Sequence, residues 1–139
     1  MREKKGVFLG AFSFLDSVSE VKKNESLTAF FTLKGGEEFL KDHFSDFPVM
    51  PGVLQLEALK QAASRLLAET GADRTPFRVR TVGSVKYGQF VAPGSRLKIF
   101  VRLIRQEGEV SYFEGRIDMA EGEKARRTIL ADFTLVPAI

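Results

Sequence analysis

Apolar positions recur every three or four residues between Val53 and Leu66, the spacing of a helix with one buried face. Val53, Leu56, Leu59, Ala63 and Leu66 would make the stripe. The spacing predicts a helix from Gly52 or Val53 to about Thr70, with Gly71 as its stop. Ala58, Ala62, Ala63 and Ala68 keep it slim, as suits close packing against a sheet. Glu57, Gln61 and Ser64 trace a narrow polar line beside the stripe, at i, i+4 and i+7.

Elsewhere the pattern is that of strands. Val7 to Val21 and Ser26 to Lys34 are rich in Phe, Val, Leu and Thr, with Lys22-Lys23-Asn24-Glu25 as the turn between them. Phe77 to Tyr87, Arg96 to Gln106, Val110 to Met119 and Lys124 to Val136 read as further strands. Pro93-Gly94, Glu107-Gly108 and Glu121-Gly122 mark the turns. Two strands, one long helix and about four more strands argue for an α+β domain, an antiparallel sheet curled around a central helix. Between Gly35 and Pro51 runs a long irregular segment, and such stretches in small domains usually carry function.

At 139 residues the chain suits a single domain spanning 1–139. Thirteen Phe and no Trp imply an aromatic-rich core or an apolar cavity lined by rings. The net charge of +3 is spread along the chain, which gives no nucleic-acid recognition motif and fits an acidic protein partner. With no cysteine, disulfides, thiolate catalysis and Cys-ligated zinc are excluded, and a cytoplasmic location is expected. The basic Met1 to Lys5 and the apolar run to Leu15 outwardly resemble a signal peptide. Asp16 and Glu20 follow in place of a small-residue cleavage site, so a first strand is the reading taken. No stretch has the length of a membrane span.

Three groups could carry chemistry. His43, the one histidine, titrates near neutral pH and sits in the irregular segment. Glu57 lies in the helix among Leu54, Leu56, Ala58 and Leu59, with Gln61 one turn on as a hydrogen-bond partner. Burial favours the neutral, proton-donating form of a carboxyl group. Pro51-Gly52 opens the helix, where free N–H groups and the positive end of the dipole attract an oxyanion, and Gly52 leaves room for a substrate atom. Base, acid and oxyanion donors are what α-proton abstraction from a thioester with loss of a β-hydroxyl requires.

Residues 42–61 read DHFSDFPVMPGVLQLEALKQ. This resembles the active-site region of the FabZ-type 3-hydroxyacyl-[acyl-carrier-protein] dehydratases, whose motif runs roughly G-H-F-P-x-x-P-[IV]-x-P-G-V-L-x-x-E-A-x-x-Q. The interval of fourteen positions from His43 to Glu57 is kept without a gap. Phe14 to Val18 is similar to the family's early strand, and Val85 to Gly94 to its R-F-x-x-P-V-x-P-G strand and turn. Asp42 stands where the family has Gly, and Ser45-Asp46 where it has Pro-Gly.

The resemblance implies a hotdog fold of about five or six strands around one helix. It implies dehydration of a 3-hydroxyacyl thioester to the trans-2-enoyl thioester, with no metal or redox cofactor. His43 would handle the α-proton, Glu57 would protonate the departing hydroxyl, and the Gly52 amide would bind the thioester oxygen. Gln61 would support Glu57, and Phe44, Phe47, Pro48, Val53 and Phe90 are candidates to line an acyl tunnel. The family pairs histidine and glutamate across a homodimer, sometimes as a trimer of dimers, on substrates borne by acyl carrier protein or coenzyme A. Two other readings fit the same residues: a hotdog acyl thioesterase, and a binding module for acyl chains or carrier protein without turnover.

Overall fold

The computed structural model describes residues 12–34, 50–69, 76–121 and 124–138. One antiparallel sheet holds six strands: β1 (Ser17–Lys22), β2 (Ser26–Thr32), β3 (Phe77–Tyr87), β4 (Arg96–Glu107), β5 (Val110–Glu121) and β6 (Lys124–Pro137). Among the described residues a single helix, α1 (Gly52–Glu69), packs against β2, β3, β4, β5 and β6. This is the hotdog arrangement that the resemblance implies.

The strands follow one another in space as β1-β2-β4-β5-β6-β3. β4, β5 and β6 form a meander of two tight hairpins. β3 breaks the expected series: it pairs with β6 and not with β4, so Pro93-Gly94 belongs to a connection that crosses the whole width of the meander. Left-handed backbone marks the turns at Asn24 and Gly108. Asn24 has φ 64° between β1 and β2, and Gly108 has φ 62° between β4 and β5, conformations open to Asn and Gly. Of the run predicted as a strand from Val7, residues 7–11 lie outside the described residues, residues 12–16 are not part of the sheet, and β1 begins at Ser17. The Glu121-Gly122 turn lies partly outside the described residues.

Period-two alternation points one face of the sheet at the helix. Leu97, Ile99 and Val101 of β4, Phe113 and Ile117 of β5, and Ile129, Ala131, Phe133 and Leu135 of β6 are buried there. Gly115 sits among them on β5. A β-carbon added to it would come within 2.9 Å of Leu59 Cδ2, so helix and sheet approach closely at this glycine.

The buried face of α1 is made by Leu54, Gln55, Ala58, Leu59, Ala62, Ala63, Leu66 and Leu67. This corrects the expected stripe. Val53 is 66 % exposed, and Leu56 is only partly buried. Because nearly every third and fourth position of this helix is apolar, two neighbouring stripes compete, and the sheet selects the one with the alanines.

Candidate active site

Pro51 sets the start of α1. Its carbonyl accepts from the Leu54 amide at 3.1 Å and the Gln55 amide at 3.3 Å. The amides of Gly52 and Val53 are left without an intrahelical partner, as helix geometry requires. The ring of Tyr87, from the end of β3, lies over Gly52. A β-carbon at position 52 would be 2.5 Å from Tyr87 Cε1 and 2.7 Å from its hydroxyl oxygen. Beside it, Gly88 donates its amide to the Thr128 carbonyl, and a side chain there would collide with the Arg127 carbonyl oxygen. Met50 joins the entry to this region by donating to the Val91 carbonyl.

These groups border a cavity of about 510 Å³, lined by Met50, Pro51, Gly52, Val53, Gln55, Tyr87, Gly88, Gln89, Phe90 and Thr128. Its size suits a small-molecule or acyl-chain site. Two expected tunnel residues, Val53 and Phe90, do line it, both on its exposed rim at 66 % and 73 % exposure.

Glu57 lies elsewhere. It is five residues beyond Gly52, about 140° around the helix and about 7.5 Å along it. Its side chain is 21 % exposed. Gln61 Nε2 donates to Glu57 Oε2 at 3.1 Å, and Lys60 Nζ lies 3.8 Å from the same oxygen. Oε1 has no hydrogen bond among the described residues. Glu57, Lys60, Gln61 and Ser64 line a second cavity of about 440 Å³, with Phe12, Leu15 and Phe77 among its other walls. The two cavities share no lining residue.

Gln61 does more than partner Glu57. Its Nε2 also donates to the Phe12 carbonyl at 2.7 Å, while its Oε1 accepts the Phe14 amide at 2.7 Å. The side-chain amide thereby ties the segment before β1 to the helix. The rings of Phe12, Phe14 and Phe31 then meet edge to face, with centroids 4.8–6.0 Å apart.

His43, Phe44, Phe47 and Pro48 fall outside the described residues, as do Asp42, Ser45 and Asp46. Sequence reasoning passed over Gln55, Thr128 and Tyr87. Nothing local signals them, because each acquires its place through a contact made across the fold. Among the described residues no three His, Cys, Asp or Glu side chains gather as metal ligands would, and no helix is long and apolar enough to cross a membrane.

The profile of the ApeI-like proteins, described as ApeI dehydratase, matches residues 19–124. The chain belongs to the ApeI-like dehydratase family. As such a dehydratase it is a hydro-lyase, and its relatives agree. It is 37 % identical over 103 residues to the 3-hydroxyacyl-[acyl-carrier-protein] dehydratase FabZ of Pediococcus pentosaceus, covering 73 % of this chain and 68 % of that one. The FabZ of Oceanobacillus iheyensis is 35 % identical over 116 residues, covering 82 % and 81 %. Among solved structures, the dehydratase heterocomplex ApeI:P from Xenorhabdus doucetiae superposes with a TM-score of 0.71. It is 17 % identical, with 91 % of this chain and 83 % of that one covered. An uncharacterised protein from Erwinia carotovora gives a TM-score of 0.65 at 20 % identity, with 87 % and 90 % covered. At those identities the two structures speak for the fold.

Proposed function

We propose that this ApeI-like dehydratase removes water from a 3-hydroxyacyl thioester, borne on the phosphopantetheine arm of acyl carrier protein, to give the trans-2-enoyl thioester. The work belongs to cytoplasmic fatty-acid or related acyl-chain synthesis. His43 takes the proton from C2, and the thioester oxygen gathers negative charge against the free amide of Gly52. The C2–C3 double bond forms as the C3–O bond breaks. Glu57 supplies the proton with which the hydroxyl leaves as water. Oxidation state is unchanged overall, so the chemistry needs no redox cofactor, and the Gly52 amide with the Glu57 proton does the work a Lewis-acid metal would do. A chain with net charge +3 suits an acidic carrier in sign.

The observation that carries this reading is the divergence of Gly52 and Glu57 into separate cavities of one chain. One substrate can touch both only if the Gly52 cavity of one copy faces the Glu57 cavity of another. We therefore assign the working unit to a homodimer whose two sites each draw on both subunits. β3 fits the interface: among the described residues it is an edge strand of eleven residues, mostly exposed, with Val82 and Tyr87 both exposed. Such an edge presents unpaired backbone groups to a second chain. Three such dimers could assemble further without altering the site.

Mixing two inactive variants tests both halves of the proposal. His43→Ala and Glu57→Gln, unfolded and refolded together, regain about a quarter of wild-type enoyl formation if the site is shared, since half the dimers are mixed and each carries one intact site. No regain on mixing, with mixed dimers demonstrated by differential tags, would reject the shared site. Free thiol in place of the enoyl chromophore from the wild type would reject the dehydration.

A further inference from the structure

Gln55 is a polar side chain on the buried face of α1, only 4 % exposed. Its partner is Thr128 of β6, which donates from Oγ1 to Gln55 Oε1 at 2.8 Å. The Ile117 carbonyl, 3.3 Å away, is the hydroxyl's other acceptor. Thr128 faces inward because of a bulge. Ile117 is opposite Ile129 and Asp118 is opposite Arg127, which leaves Thr128 unpaired and turns it to the same side as Ile129. Bulges of this kind re-aim a side chain, often beside an active site.

The bond to Thr128 uses the carbonyl end of the amide. Nε2 carries two further donors, and among the described residues they meet no acceptor. Gln55 and Thr128 both line the 510 Å³ cavity that contains Gly52. Nε2 is open to the cavity, so a donor is presented there.

Its position matches the substrate. Gln55 follows Gly52 by three residues, about 4.5 Å along the axis and about 60° around it. Helical side chains lean toward the N-terminus, so the amide reaches back over the first turn. The site then offers backbone donors at Gly52 and a side-chain donor one turn away. A 3-hydroxyacyl thioester carries oxygens on C1 and C3, two carbons apart.

We propose that Gln55 Nε2 donates a hydrogen bond to the 3-hydroxyl oxygen of the substrate, orienting the C3–O bond while Gly52 holds the thioester oxygen. This rests on the dehydratase reading given above. Gln55 transfers no proton. It shares the negative charge that grows on the departing oxygen until the proton from Glu57 arrives. Thr128 is the positioning residue that turns the amino end of the amide into the cavity. The enoyl product has no oxygen at C3, so the contact is lost once water has left.

The test compares binding of 3-hydroxyoctanoyl and octanoyl pantetheine thioesters by calorimetry, in the full-length Glu57→Gln protein so that substrate is not consumed. The expected result is tighter binding of the hydroxyacyl thioester by about tenfold. Adding Gln55→Leu brings the ratio to near one, and adding Thr128→Val lowers it part of the way. Gln55→Met, closer in shape, repeats the measurement should the leucine variant fold poorly. An unchanged ratio in the position-55 variants, or equal binding of the two thioesters before that change, overturns the contact. Enoyl formation by the wild type with no hydroxyl preference removes Gln55 alone. A preference that depends on Gln55, in a protein that forms no enoyl product, removes the dehydratase reading alone. Binding of neither thioester overturns both.

Discussion

The ring of Tyr87 occupies the space that a β-carbon at Gly52 would need. Ring and backbone approach so closely that Cε1 and the hydroxyl oxygen would lie 2.5 Å and 2.7 Å from such a carbon. Packing therefore requires the glycine, and that demand can be separated from the proposed contact of its amide with substrate. Gly52→Ala should displace the ring, lower stability by about 1–3 kcal/mol and reduce kcat/KM about 10- to 100-fold. Combining it with Tyr87→Ser should restore the melting temperature while leaving much of the catalytic defect. Thermal melts and initial rates on the four proteins of that cycle give the answer, and full recovery of rate in the double variant would reduce Gly52 to a packing residue.

Glu57→Gln keeps the size of the side chain and removes its ability to give up a proton. Turnover should fall by about two to four orders of magnitude, with circular dichroism and mass in solution unchanged. The enoyl chromophore reports the rate directly. Activity within a few-fold of wild type would mean that the proton comes from another group.

Gln61 makes three hydrogen bonds, two of them to backbone of the segment before β1. Gln61→Leu should cost about 1–3 kcal/mol in urea unfolding, because the Phe14 amide and the Phe12 carbonyl lose their partner. Gln61→Glu should cost more, since it adds a like charge one turn from Glu57. A leucine variant as stable as wild type would show that contacts other than the Gln61 amide hold residues 12–14.

At Gly115 the helix and the sheet touch through Leu59. Gly115→Val should destabilise by about 1–3 kcal/mol through overpacking. Pairing it with Leu59→Ala should return part of that loss, a coupling readable from a double-mutant cycle. Additive losses would place the strain somewhere other than this contact.

How much of this could be read from the residues alone depends on how far apart the interacting groups lie. The helix from Gly52 and the partnership of Glu57 with Gln61 are local, set by three- and four-residue spacing, and both were legible. The buried face of that helix was misjudged at Val53, because Val53, Leu54 and Leu56 are all apolar and only the sheet decides among them. The strands of the β4-β5-β6 meander announced themselves through alternation and Gly-containing turns. The pairing of β3 with β6 did not, because a connection that skips two strands leaves no local trace. Gln55 was hidden for the same reason. A glutamine on an apolar face becomes intelligible once Thr128, 73 residues away, is beside it.

The two borders of the sheet differ in a way that limits growth. β1 is six residues long, interrupted between Val18 and Glu20, and bears charges at Glu20 and Lys22, features that discourage a further strand from adding. β3 is nearly twice as long and carries the exposed Val82 and Tyr87. In the proposed dimer, two such sheets meeting β3 to β3 would leave β1 at both outer ends, so among the described residues the association would close on itself instead of growing into a fibre.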